Sequence, residues 1–235
     1  MANAKGLRDI SGARARVGER LRRHYTKRGG ASINARRIWF IVIIGFYSAP
    51  LYGRYSASFI RNLFSLPGTV LAHECGCLLL LVVCIRTQKR SFADFFLSWS
   101  ASDIIRSIAI SALGFVVYLF TIIAMWGTIN LVPHPPGLSI LALLVNPFFE
   151  ELIVRGYFIV EYGQLRNRHR ALEAVSVSAA LQAGYHAYQG MIACVGLFML
   201  FVVYGIFFQR TKRLWPVVLS HEYFDLIGVL SLLHH

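Results

Sequence analysis

The chain has 235 residues, of which 56% are hydrophobic and only 15% charged, and its mean hydropathy is +0.55. That balance excludes an ordinary water-soluble domain. A formal charge of +13 invites a nucleic-acid reading, but no aromatic-interleaved basic module or groove-reading motif accompanies it. The expected class is all-α: a polytopic transmembrane helix bundle of about seven spans with a cytoplasmic N-terminus, no nucleic acid among its partners, and the lipid bilayer as its surroundings.

The distribution of the charge supports this class. Eleven of the 24 basic residues lie between Lys5 and Arg37, and nine more form the clusters Arg86/Lys89/Arg90, Arg166/Arg168/Arg170 and Arg210/Lys212/Arg213. Each cluster flanks an apolar run, as Lys and Arg do in cytoplasmic loops. Residues 1–37 read as a basic cytoplasmic tail, with an amphipathic helix near Ser11 to Tyr25 and a joint at Gly29-Gly30. Its basic side chains suit anionic headgroups, at roughly 1 kcal/mol per well-placed side chain. Residues 38–235 read as one transmembrane domain.

In chain order, the first span is expected from Ile38 to about Gly53 and the second from Thr69 to Ile85. An interfacial helix over Ser91 to Ser102 is expected from its mixture of Phe92, Phe95, Phe96 and Trp99 with Asp94. The third span, Ile104 to about Val132, meets a strong stop at Pro133-His134-Pro135-Pro136-Gly137. The fourth runs from Leu138 to about Tyr162, the fifth from Glu173 to Tyr188, the sixth from Met191 to Gln209 and the seventh from Leu214 to about Leu233. With the tail inside, every basic cluster falls on the cytoplasmic side. Cys75, Cys77, Cys84 and Cys194 lie in apolar runs without a CxxC pair and are expected to be buried small hydrophobes.

The fourth span carries the most informative residues. Glu150, Glu151 and Arg155 lie within six positions of a stretch otherwise suited to bilayer depth. There each ionised side chain costs at least ~2.5–3.5 kcal/mol, so a site that uses them is implied. On a helix, residues four apart share a face, so Glu151 is expected to pair with Arg155 and leave Glu150 free to act as a base. His186 ends the fifth span, and His221 and Asp225 stand one turn apart on the seventh. A carboxylate at Asp225 can fix the imidazole of His221 or hold it charged for an anionic transition state. Glu150, His186 and His221 could alternatively supply a two-histidine, one-carboxylate zinc site, although no HExxH motif is present. His73 and Glu74, inside the second span, are left between a cavity wall and the outer interface. At ~1.5 Å per residue, Glu150, His186 and His221 lie roughly 18, 20 and 10 Å from the cytoplasmic ends of their spans, so tilt or a bend at Pro147 is needed to bring them together.

The three motifs Glu150-Glu151-xxx-Arg155, Gln182-xxx-His186 and His221-xxx-Asp225 resemble EExxxR, FxxxH and HxxxN/D. These mark the glutamate-type intramembrane proteases that include type II CAAX prenyl proteases and bacteriocin-processing or self-immunity proteins. The resemblance covers residues 138–233. It implies that Glu150 and His186 activate a water for attack on a peptide carbonyl, that His221 and Asp225 stabilise the oxyanion, and that Glu151 and Arg155 support the site without a cofactor. The implied substrate is a peptide or protein in or at the membrane, and the implied location is a multi-pass protein of a bacterial inner membrane. Gln182 departs from the family, which usually has Phe there. A non-catalytic peptide-binding scaffold or immunity protein on the same fold is the alternative, and a proton-carrying transporter is disfavoured because no pair of broken helices appears in two related halves.

Overall fold

The computed structural model describes residues 33–49, 67–88, 98–125, 140–165 and 171–232. The expected amphipathic helix of the tail, most of the expected interfacial helix and the Pro133 to Gly137 stop lie outside them. The chain divides into Met1–Ile38 and Trp39–His235, and the description concerns the second unit.

Among the described residues all regular structure is helical. The helices are α1 (Ile33–Tyr47), α2 (Pro67–Thr87), α3 (Ser102–Ala124), α4 (Ile140–Glu151), α5 (Val160–Leu165), α6 (Ala171–Tyr185), α7 (Met191–Thr211) and α8 (Trp215–Leu232). A π-helical segment, Leu152–Ile159, joins α4 to α5 without a break. Where the interfacial helix was expected to end, residues 98–100 are non-helical. The third span ends earlier than its hydropathy implies, because α3 stops at Ala124, where the Met125 N–H caps the last turn. At ~1.5 Å per residue those 23 residues already reach across a hydrocarbon core of roughly 30 Å.

Helices α3 and α7 are each long and apolar enough to cross a membrane. On α3, Ile105, Phe120 and Ile123 point outward, each about two-thirds exposed or more. A water-facing helix would carry polar residues there; lipid requires apolar ones. The buried residues of α3 include the small or polar Asp103, Ser107 and Gly114 beside Ile110 and Ile122. The expected burial of the cysteines holds for Cys77 and Cys84, whereas Cys75 faces outward and Cys194 is half-buried.

Helix α7 packs against α3 and α6, and α8 packs against α3 and α4. Glycines permit the first of these approaches: a Cβ at Gly114 would lie 2.4 Å from Leu200 Cδ1, and one at Gly196 would lie 2.9 Å from the Tyr118 ring. Small residues of this kind let apolar helices approach closely where no hydrophobic driving force exists between them. At one end of the bundle, Asp103 at the start of α3 takes a two-pronged bond from Arg213, with Nε and Nη2 each 2.6 Å from a carboxylate oxygen. Arg106 adds a third contact at 3.0 Å.

Replacing Gly196 with Ala should lower thermal stability in detergent by roughly 1–3 kcal/mol, because the tyrosine ring cannot step aside as a leucine tip can. Gly45→Ala, where nothing lies within 4 Å of the added carbon, should leave it unchanged or raise it by up to about 1 kcal/mol. Equal melting temperatures for the two variants would contradict the close α3–α7 contact.

Candidate active site

Three helical runs build the polar centre. Pro147 sits inside α4 and cannot donate the main-chain bond expected of its position. Immediately after Glu151 the backbone widens into the π-helical turn, a local form that frequently accompanies functional sites. Both carboxylates and Arg155 are fully buried. The second run ends at His186, where α6 gives way to a short 3-10 turn, Ala187–Gln189. Gly190 then turns the chain with φ of 98°, a conformation that glycine adopts without steric cost. His186 thus stands at the end of the helix, in keeping with its expected place near the far end of the fifth span. The third run is α8, carrying His221 and Asp225.

Glu151 gathers three hydrogen-bond donors on Oε1. Arg155 Nη1 lies 2.8 Å from Oε1 and 2.7 Å from Oε2, the pairing expected from their spacing. The same Oε1 accepts from Gln182 Nε2 at 3.1 Å and from His221 Nδ1 at 2.8 Å. An ionised carboxylate has no proton to give, so His221 carries its hydrogen on Nδ1 and turns Nε2 the other way. Arg155 Nη2 also reaches the Phe201 carbonyl at 3.3 Å, and its guanidinium lies 5.0 Å from the Phe201 ring centre.

Glu150 has a different and weaker set of partners. Asn146 Nδ2 donates to Oε1 at 3.1 Å, and Gln182 Nε2 donates to Oε2 at 2.9 Å. His186 Nε2 lies 3.4 Å from the same Oε2. Gln182 therefore holds both acids through one amide nitrogen, while its carbonyl accepts from Arg155. The two carboxylates were expected to point apart; in the fold they diverge only as far as a single amide can span.

Glu150, His186 and His221 come together: one ligand atom from each can be chosen so that all lie within 4.8 Å of one another. Asp225 is less close than its spacing implied. It lies 3.8 Å from His221 Nε2, an ion-pair distance beyond hydrogen-bonding range. The carboxylate that orients His221 is Glu151. The donor set also fits zinc, since two imidazoles and a carboxylate converge and His221 gives its second N–H to a carboxylate, as metal-binding histidines commonly do.

Asn146, Gln182 and Phe201 complete the site; Gln182 was expected there as a hydrogen-bonding replacement for a wall of the site, whereas Asn146 and Phe201 had no expected role. Asn146 lies four residues before Glu150, a spacing that could have indicated it. Phe201 sits 5.7 Å from both His186 and His221 ring centres, and no local signal distinguishes it from the other aromatics of α7.

Residues 132–227, under half the chain, match the family model described as type II CAAX prenyl endopeptidase Rce1-like. That family consists of membrane-embedded proteases, and the similarity expected from the three motifs is thereby found. No curated protein and no solved structure matches the chain.

Arg155→Met strands Glu151 in the interior and should reduce stability by about 3–5 kcal/mol. Gln182→Met, which removes the hydrogen bonds of an uncharged side chain at similar volume and leaves the Glu151–Arg155 ion pair in place, should reduce it by about 1–3 kcal/mol. Denaturant or thermal unfolding in detergent checks the order, and a harmless Arg155→Met would be incompatible with the buried ion pair.

Proposed function

We propose that the protein is an integral-membrane endopeptidase that hydrolyses a peptide bond of a peptide or membrane-associated protein. The observation that carries this reading is the convergence of Glu150, His186 and His221 from three separate helical runs. Supporting it are the burial of these groups and the family match over residues 132–227.

Peptide hydrolysis needs a base, a proton for the leaving amine and donors aimed at the developing charge. Glu151 is held as an anion by Arg155, Gln182 and His221, which makes it the fixed charge of the site. Glu150 has amide donors and one imidazole and serves as the base. With His186 it takes a proton from water while the oxygen attacks the carbonyl carbon. The carbonyl electrons move onto oxygen, and protonated His221 donates to that oxyanion from Nε2. Collapse breaks the C–N bond as the proton held by Glu150 passes to the leaving nitrogen. Asp225, 3.8 Å from His221 Nε2, favours the charged imidazolium electrostatically and acts through it.

The preferred chemistry is metal-free. Were zinc bound, Glu150, His186 and His221 would hold it, and it would supply a Lewis acid and a more acidic bound water. The surroundings in this reading are a bundle of about seven spans with the tail cytoplasmic, in a bacterial inner membrane. One observation favours a second reading, a peptide-binding scaffold. Gln182 donates to both carboxylates at a position where the resembling proteases usually carry Phe.

The test is a peptide library incubated with the detergent-purified protein and read by mass spectrometry. Glu150→Gln and His186→Ala should each lower cleavage by about 10²–10⁴-fold, and His221→Ala by about 10²–10³-fold. Asp225→Asn should cost roughly tenfold, and unchanged or better activity would remove its role. Cleavage that persists in both the Glu150 and His186 variants eliminates the hydrolase assignment, and binding without cleavage by the unaltered protein selects the scaffold. Activity should survive a chelator; loss that added zinc restores would select the metal-dependent form.

A further inference from the structure

Glu74 is the least satisfied charged group among the described residues. It is fully buried on α2, and neither carboxylate oxygen has a hydrogen-bond partner. A carboxylate in that position is too costly to keep as packing, and in a membrane domain its default meaning is functional. Its neighbourhood leads to the catalytic centre: α2 packs against α4, and Glu74 lies close enough to Glu150 for the two carboxylates to act on each other electrostatically.

A second buried group without a hydrogen-bond partner lies on the neighbouring helix α1. Tyr47, at the end of α1, is fully buried, and its hydroxyl likewise has no partner. Its ring stacks on Tyr185 at 5.3 Å and lies 5.9 Å from Phe149, the residues adjacent to His186 and Glu150. It is within electrostatic reach of Glu150, Glu151 and Arg155. Helices α1 and α2 meet at this level, because the His73 ring stacks on Phe46 at 4.9 Å and bonds the Tyr47 main chain.

We propose that Glu74 and Tyr47 form a cation-accepting subsite of the hydrolytic centre, filled by the ammonium or guanidinium group of a basic substrate side chain. Two carboxylate oxygens and one phenolic oxygen, all buried without hydrogen-bond partners, lie within electrostatic reach of Glu150. Arg155 cannot neutralise Glu74, since Glu151 and Gln182 engage it. A lysine side chain brings three donors and the missing positive charge, and a buried carboxylate left unpaired until substrate arrives rejects neutral side chains more strongly than an apolar pocket could. That the cation belongs to a peptide follows from the hydrolase reading, so binding is measured apart from cleavage.

The experiment uses full-length protein carrying Glu150→Gln, so that peptides are held and not cut. It is titrated in detergent with labelled peptides paired with twins that carry norleucine in place of every lysine. Chelator is present throughout, which excludes a metal as the cation. Lysine peptides should bind roughly tenfold or more tightly than their twins. Adding Glu74→Gln should abolish the difference, and Glu74→Lys should invert it in favour of peptides carrying Asp or Glu. Tyr47→Phe, which removes one oxygen and keeps the ring, should weaken the preference severalfold without lowering the melting temperature. If the Glu74 variants unfold, the Tyr47 result decides. A lysine preference that survives Glu74→Gln or Tyr47→Phe, or that is absent from the starting protein, overturns the subsite. Failure of the unaltered protein to cleave any peptide would remove the hydrolase reading alone.

Discussion

Two acids placed side by side in an apolar interior must each find donors, and the fold around them is arranged by that demand. Glu151 draws Arg155 from its own run, Gln182 from α6 and His221 from α8. Glu150 draws Asn146 from one turn earlier and His186 from the end of α6. The bonds to Gln182, His186 and His221 tie α6 and α8 to the same few ångströms of backbone. Removing the charges would release the geometry as well as the chemistry, because a half-satisfied buried network is worse than none.

The two carboxylates are chemically unequal although adjacent in sequence. Glu151 is bonded to a permanent cation and an imidazole N–H, so its negative charge is fixed. Glu150 is held by neutral amides and one imidazole, which orient it without claiming its charge. Gln182 is the element that joins these conditions: its single amide nitrogen spans both acids while its carbonyl accepts from the guanidinium. A Phe there could wall the site but could not couple it.

Much of this was legible before any coordinates. The i, i+4 pairing of Glu151 with Arg155 follows from helix periodicity, and three separate polar clusters in apolar runs point to one shared centre. The helical class and the apolar length of α3 and α7 follow from hydropathy. Other parts were not legible, for physical reasons. Spacing along α8 favours Asp225 as the partner of His221, but spacing says nothing about a neighbouring helix, and Glu151 approaches more closely. The π-helical turn depends on which carbonyls find partners, which hydropathy does not report. Gln182 looked like the loss of an aromatic wall because a single residue's partners on other elements are invisible in its own segment. Cys75 shows the same limit in reverse: an apolar run fixes that a helix is apolar, not which face is covered.

The placement of the unsatisfied groups adds a division of labour. Every residue assigned to bond breaking lies within residues 132–227, the segment that matches the protease family. Tyr47 and Glu74, whose side-chain oxygens lack hydrogen-bond partners, lie outside it on α1 and α2, yet both are within electrostatic reach of Glu150. Groups that catalyse must satisfy one another at rest, since their geometry has to be ready before substrate arrives. Groups that select a substrate can remain unsatisfied at rest, because the unpaired state is what makes the correct ligand preferable to any other. The carboxylates and imidazoles carried by α4, α6 and α8 bond one another, although Glu151 Oε2 and Arg155 Nε lack hydrogen-bond partners. Tyr47 and Glu74 on α1 and α2 fit the second condition under the proposed subsite. On that proposal, substrate choice can change through the N-terminal helices without disturbing the carboxylate network proposed to perform the reaction.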